Sequence, residues 1–241
     1  MPIEISEAPQ IAVAPAQADW QRLAAIIDHT LLKPESTSTE VQQLCREAAE
    51  YAFACVMLNP TYLSSAASIL GGTGIKIGAV VGFPFGANTT GVKRHEALDA
   101  IRLGAQEIDM VMNIGALKSG DRTRVQADMH GLVEVAHDNG AILKITIETA
   151  LLSLEEKILA CQLAVAAGAD FVKSSTGFSH AGALPADVSL MRGVVGDKLG
   201  VKASGGIRTL EDAHGMIEAG ANRIGTSSGV AIVEFARAKS D

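Results

Sequence analysis

Short apolar runs alternate with longer amphipathic stretches along most of the chain. The runs are the length of strands, and the stretches between them repeat apolar residues at helical spacing. Strands are predicted over 26–32, 54–58, 75–83, 107–113, 141–148, 171–175, 201–204 and 223–226. Helices are predicted over 20–25, 37–48, 88–103, 121–137, 153–167, 183–198, 209–219 and 230–238. Three helix starts carry the reciprocal capping pattern: Thr37 with Glu40, Ser153 with Glu156, and Thr209 with Asp212. In the helix after Ser153, the stripe Leu154, Ile158, Cys161 and Val165 is the expected buried face.

A weak internal repeat marks the helix-to-strand joints. Leu-Gly-Ala-Gln-Glu-Ile at 103–108, Ala-Gly-Ala-Asp-Phe-Val at 167–172 and Ala-Gly-Ala-Asn-Arg-Ile at 219–224 each end a helix at Gly and open the next strand. Strands that alternate with helices pair in parallel, and eight such units in 241 residues match a single-domain α/β fold, a closed (β/α)8 TIM barrel. The alternative is an open doubly wound sheet, which lacks support because no G-x-G-x-x-G follows the first strand. The barrel is expected over 20–241, preceded by an N-terminal extension over 1–19 with no clear period.

Composition narrows the functional class. Hydrophobic residues make up 48% of the chain but aromatics only 4%, so Ala and Gly supply much of the apolar content, as close helix–sheet packing requires. No apolar run approaches the roughly 18 residues of a membrane span, and Glu4 and Glu7 stand where a secretory signal would carry positive charge. Cys45, Cys55 and Cys161 lack metal-type spacing, which points to a reducing compartment and a cytoplasmic enzyme. The six histidines are scattered, with no H-x-x-x-H, so no metal site is expected. A net charge of −7 argues against nucleic-acid binding, while leaving room for a small phosphorylated ligand.

Four consecutive predicted strands carry a charge in mid-run: Asp109, Lys144, Lys173 and Lys202. The outer face of a barrel strand lies under helices, so these four are expected to form one interior cluster. One reading is a structural ion-pair network. The other uses the excess of lysine over carboxylate: burial and neighbouring positive charge both favour a neutral amine, which attacks a carbonyl to form a Schiff base. Asp109 would then move protons. Lys144 either shares the lowering of the nucleophile's pKa with Lys202 or organises Asp109. Asp28 and His29 on the first strand are candidates to line the pocket in an orienting role, and Cys55 is expected to pack.

A phosphate site is predicted after the seventh and eighth strands, where barrels commonly hold phosphate. Ser204, Gly205 and Gly206 follow the seventh; Gly225, Thr226, Ser227 and Ser228 follow the eighth and open a helix. Glycines admit backbone N–H groups to the anion, and the hydroxyls of Ser204, Ser227 and Ser228 are candidate donors. Thr176 either bonds substrate from the end of the sixth strand or caps the turn at Gly177.

Phe-Val-Lys-Ser-Ser-Thr-Gly-Phe (171–178), Val-Lys-Ala-Ser-Gly-Gly-Ile-Arg (201–208), Glu-Ile-Asp-Met-Val-Met-Asn-Ile-Gly (107–115) and Ile-Asp-His-Thr-Leu-Leu (27–32) resemble the deoxyribose-phosphate aldolase family. The similarity runs from about Ile26 to Phe235. It implies a class I, Schiff-base aldolase that reversibly cleaves 2-deoxy-D-ribose 5-phosphate to acetaldehyde and D-glyceraldehyde 3-phosphate. By the family pattern Lys173 forms the Schiff base, Lys202 lowers its pKa, Asp109 takes part in proton transfer, and no cofactor is required. The sugar phosphate is the expected partner, and a homodimer is an assembly that such barrels often form. Two other readings fit the same residues: another lyase or isomerase on a phosphate-binding barrel, and a non-catalytic sugar-phosphate binder. A pure binder has no use for a buried, activated lysine.

Overall fold

The computed structural model describes residues 18–240. The extension expected over 1–19 lies outside these residues except for its last two, and Asp19 opens a helix, α1 (Asp19–Ala24). Eight strands follow in chain order: β1 (Ile27–Leu31), β2 (Cys55–Leu58), β3 (Lys76–Val81), β4 (Glu107–Val111), β5 (Ile142–Thr146), β6 (Phe171–Lys173), β7 (Gly200–Ser204) and β8 (Arg223–Thr226). They form a closed barrel in sequence order, all parallel, with β1 paired to both β2 and β8.

Helices run outside the sheet: α2 (Ser38–Tyr51), α3 (Leu63–Leu70), α4 (Thr90–Arg102), α5 (Ile114–Lys118), α6 (Arg122–Asp138), α7 (Leu154–Ala167), α8 (Pro185–Val195), α9 (Leu210–Glu218) and α10 (Gly229–Ser240). The three expected capping boxes form, at Thr37, Ser153 and Thr209. Each hydroxyl satisfies a backbone N–H left free at the helix start, worth about 1 kcal/mol. α1 packs on α10, and the Arg237 guanidinium lies 5.6 Å over the Trp20 ring.

Three expectations need correction. The helix between β2 and β3, α3, is missing from the sequence reading, although Leu63, Ala66 and Leu70 stand at helical spacing and are buried. The short helix α5 is likewise unannounced; it starts because the Asn113 side chain accepts from the Ala116 N–H. In α7 the buried face is Ala160, Cys161, Ala164 and Ala167, whereas Leu154 is 58% exposed and Ile158 and Val165 are only part-buried. Alanines on that face let the helix lie close to the sheet, so bulk did not mark the inner side. All three cysteines are buried and unpaired. Among the described residues no helix is long and apolar enough to cross a membrane.

Strand register decides what the barrel encloses. Asp109 pairs with Lys144, Thr146 with Lys173, and Lys173 with Lys202. Paired residues in a parallel sheet share a face, and every second residue returns to it. Asp28, Glu107, Asp109, Lys144, Lys173, Lys202 and Arg223 therefore all point inward. Ile108, Met110, Leu143, Ile145, Val172, Val201 and Ala203 point outward and join the helices in the main core.

Candidate active site

At the centre of the barrel stands Asp109, fully buried and held by three lysines. Its Oδ1 lies 2.9 Å from Lys144 Nζ, and its Oδ2 lies 2.8 Å from Lys173 Nζ and 2.7 Å from Lys202 Nζ. The expected interior cluster is thus present, but its charge count differs from the one lysine-rich set read from the sequence. Glu107 binds Lys144 at 2.6 Å and Arg223 through both carboxylate oxygens at 2.8 Å. Asp28 binds Arg223 Nε at 2.5 Å, contacts Lys202, and stands 3.8 Å from Lys144. Four cations therefore face three carboxylates. Glu107 and Arg223 are the first residues of their strands and read as strand edges in sequence. The signal that finds them is alternation: Glu107 is two residues before Asp109, and Arg223 is paired with Lys202.

The lower pairs set the electrostatics above them. Burial pulls the Lys144 amine down, but Asp109, Asp28 and Glu107 outweigh it and hold Lys144 charged, above the ordinary lysine range. Burial would raise Asp109, yet Lys144, Lys173 and Lys202 keep it well below the usual carboxylate range. Asp28 is lowered in the same way, with burial opposed by Lys202, Lys144 and Arg223. Lys173 is the exception. Burial is the largest influence and lowers its amine; Asp109 opposes, while Lys202 and then Lys144 add to the lowering, leaving it at about 8. A lysine with that value has a substantial neutral fraction near neutral pH.

Only Lys173 of the interior charges reaches the cleft. This cavity, about 380 Å³, opens at the C-terminal ends of the strands. Its lining includes Lys173, Thr176, Ser204, Gly205, Gly206, Gly225, Thr226 and Ser227, all expected site residues. Lys33 and Arg208 bring two cations to the same lining, and Leu32 and Phe178 bring apolar surface. Gly225 is required by a close approach: a Cβ there would come within 3.0 Å of Lys202 Cε and 2.8 Å of Ser204 Cβ. Gly205 takes φ +88°, open to glycine at no steric cost, and turns its backbone beside Gly182 and Gly177.

Other expected site residues stand elsewhere. Lys144 lies below the cleft, fully buried among carboxylates, and does not line it. Ser228 does not line it either, and its N–H donates to Thr226 Oγ1 at 2.9 Å. The Ser204 hydroxyl donates to the Ser175 carbonyl at 2.6 Å and the Thr226 hydroxyl to the Ile207 carbonyl at 2.7 Å. These two hydroxyls brace the loops. Asp28 lies in the interior below the cleft. His29 points to the opposite face, where its Nε2 lies 2.8 Å from Glu47. Cys55 packs with Leu32, Met57 and Val80, and burial pushes its thiol well up, with Asp28 and Glu107 adding. Cys55, Asp28 and Glu107 offer ligand atoms within 4.8 Å of one another, but both carboxylates are already committed to Lys144 and Arg223.

Of its two expected roles, the structure shows Thr176 at the turn. It lines the cleft, and its Oγ1 accepts from the Phe178 N–H at 3.1 Å, capping the turn at Gly177. Glu148, a buried residue that the sequence reading takes only as the end of a strand, accepts from the Thr176 hydroxyl and N–H at 2.5 and 3.1 Å.

The arrangement can form an imine: a part-neutral amine opens to a cleft, beside a carboxylate and under a cationic, glycine-rich rim. Comparison with known proteins agrees with that chemistry. The DeoC/LacD family aldolase pattern matches residues 22–234. A deoxyribose-phosphate aldolase of Geobacillus sp. (strain WCH70) is 54% identical over 219 residues, 91% of this chain and 98% of that one. The Streptococcus mutans deoxyribose-phosphate aldolase is 58% identical over 208 residues, 86% of this chain and 94% of that one. Among solved structures, a putative deoxyribose-phosphate aldolase from Coccidioides immitis superposes with a TM-score of 0.88 at 44% identity, covering 93% of this chain and 88% of that one. The tetrameric deoxyribose phosphate aldolase of Aeropyrum pernix gives 0.85 at 36% identity, covering 91% and 93%. With sequence and fold in agreement over nearly the whole described chain, this protein belongs to the DeoC/LacD family of aldolases.

Proposed function

We propose that the protein is a class I aldolase that reversibly cleaves 2-deoxy-D-ribose 5-phosphate to acetaldehyde and D-glyceraldehyde 3-phosphate, with Lys173 as the nucleophile. The observation that carries this reading is a nearly buried lysine, 2% exposed, that lines the cleft with its amine lowered to about 8.

The reaction follows from the positions. The neutral Lys173 amine adds to the C1 aldehyde carbon of the open-chain sugar, and loss of water leaves a protonated imine. The C3 hydroxyl gives up its proton, the C2–C3 bond breaks, and its electron pair moves into an enamine on Lys173. Glyceraldehyde 3-phosphate departs, the enamine takes a proton at C2, and water returns acetaldehyde and the free amine. Asp109, 2.8 Å from Lys173 Nζ, is the proposed group for these proton transfers, directly or through water. Lys202 and Lys144 disfavour the charged amine. Lys33, Arg208 and the Gly205, Gly206 and Ser227 backbone hold the phosphate, so the carbonyl end reaches Lys173.

This reading extends to a homodimer in the cytoplasm. Three buried thiols without a disulfide fit a reducing compartment, and the Aeropyrum pernix relative is an assembly of copies. Light scattering on the purified chain measures the copy number.

The test is chemical trapping. Incubation with acetaldehyde and borohydride, followed by peptide mapping, is expected to place one reduced adduct on Lys173. An adduct elsewhere, or none, overturns the nucleophile. An adduct without turnover of 2-deoxyribose 5-phosphate overturns the substrate and keeps the chemistry.

A further inference from the structure

Arg223 takes no part in the reaction above and does not line the cleft. It opens β8, at the end of the barrel away from the cleft, and its side chain is mostly buried. A guanidinium keeps its charge at every working pH, and its rigid fork can hold two carboxylates at once. Arg223 does this, donating to Asp28 through Nε and to both oxygens of Glu107 through Nη2.

Those two carboxylates are also the partners of the lower lysines. Asp28 binds Lys202, and Glu107 binds Lys144 at 2.6 Å. Because Arg223 shares both carboxylates, Lys202 and Lys144 each lean on Asp109 as well, at 2.7 and 2.9 Å. Lys173 is left with its share of Asp109. The remaining strands bring no further charge to the interior among the described residues: β2 offers Cys55 and Met57, β3 Gly78 and Val80, and β6 Phe171 below Lys173. Burial keeps the Cys55 thiol neutral. Four cations against three carboxylates leave one proton in excess. Arg223 cannot release it. Lys144 has three carboxylates in reach and Lys202 two, whereas Lys173 has one and opens to the cleft.

We propose that Arg223 is a positioning residue whose charge makes Lys173 the odd cation of the barrel, and so the group that gives up its proton. This rests on the Lys173 reading and deepens it. The effect travels through Asp28 and Glu107. Without Arg223, three closed pairs become available: Lys202 with Asp28, Lys144 with Glu107, and Lys173 with Asp109. A Lys173 with a carboxylate to itself holds its proton and attacks no carbonyl.

The experiment follows exchange of acetaldehyde methyl protons with deuterated solvent by NMR across a pH series, with borohydride trapping to identify Lys173. Arg223→Met removes a positive charge, so the Lys173 amine takes a proton more easily and less of it is neutral at a given pH. The acid limb is expected to move to higher pH by about one unit or more, with about tenfold of rate lost per unit below it. Arg223→Lys keeps the charge without the fork, and the limb stays near the wild-type position. Glu107→Gln leaves four cations against two carboxylates and is expected to move the limb to lower pH. The double variant Arg223→Met, Glu107→Gln leaves three against two, one in excess again, and brings the limb back toward the wild type. Glu107→Gln leaves Arg223 its bond to Asp28, so it decides the matter even where Arg223→Met does not fold. Limbs that coincide in all variants overturn the proposal. So do limbs that move the same way in Arg223→Met and Glu107→Gln, which mark a structural role alone. A wild type without a Lys173 adduct overturns the nucleophile, and this inference with it; a Lys173 adduct with unmoved limbs overturns the role of Arg223 only.

Discussion

The barrel interior and the seam between α4 and α6 each bury a lysine against an aspartate. In the seam, Lys93 is fully buried; its Nζ lies 2.6 Å from Asp128 Oδ2 and 2.9 Å from the Val111 carbonyl. The other carboxylate oxygen of Asp128 takes the Thr90 hydroxyl at 2.9 Å. In the barrel, Lys173 shares Asp109 with Lys144 and Lys202, and it alone of the three lines the cleft. Burial lowers both amines. What differs is the surroundings. Lys93 has a carboxylate to itself and no way out, so it ties α4, α6 and β4 together. Lys173 has a divided partner, two like charges nearby and access to a carbonyl. A buried lysine becomes a nucleophile through the sharing of its counterion and its access, and burial alone does not suffice.

Substitutions at the two sites should therefore fail in different ways. Lys173→Met is expected to lower kcat/KM by about 10⁴-fold or more and to abolish the borohydride adduct, with circular dichroism unchanged. If this variant retains measurable imine chemistry, the division between the sites is lost. Lys202→Leu comes next. Removing that positive charge makes protonation of Lys173 easier, so its pKa rises and the neutral fraction at pH 7 falls. About tenfold of rate is lost for each unit of rise, and the acid limb of the pH–rate profile moves to higher pH. An unmoved limb would remove Lys202 from the tuning of the nucleophile.

In the seam the expected loss is stability. Lys93→Met strands the Asp128 carboxylate in the interior and should cost about 3–5 kcal/mol in denaturant unfolding. The pH–rate limb of the folded fraction should stay where it is. A shifted limb would mean that the two lysines are coupled. Thr90→Val removes only the Asp128 hydrogen bond and is the smallest change, about 1 kcal/mol with no effect on the profile.

The barrel and its reactive layer were open to sequence reading because strand alternation puts a charge in mid-run only where the interior needs one. Asp109, Lys144, Lys173 and Lys202 stand out against Val, Ile, Met and Leu for that reason. Glu107 and Arg223 sit at strand starts, where charge is ordinary, and only register shows that they face in. Lys93 hides on a helix whose exposed face is also charged. Glu148 stands two residues past the end of β5, and nothing in its neighbours signals a left-handed backbone. The inner face of α7 was obscured by small residues, which pack closely but give weak periodicity. The loop hydroxyl of Ser204 looked free for phosphate because sequence carries no record of which carbonyl it would reach.

The pKa of Lys173 bears most directly on the account, and the exchange of acetaldehyde methyl protons with deuterated solvent reports it, because exchange needs the imine and its enamine. Its rate, followed by NMR against pH, should rise about tenfold per unit through the acidic range and level off with a midpoint at about 8. A rate that keeps climbing past pH 9.5, toward the roughly 10.4 of an ordinary lysine, would contradict a lowered amine in the barrel.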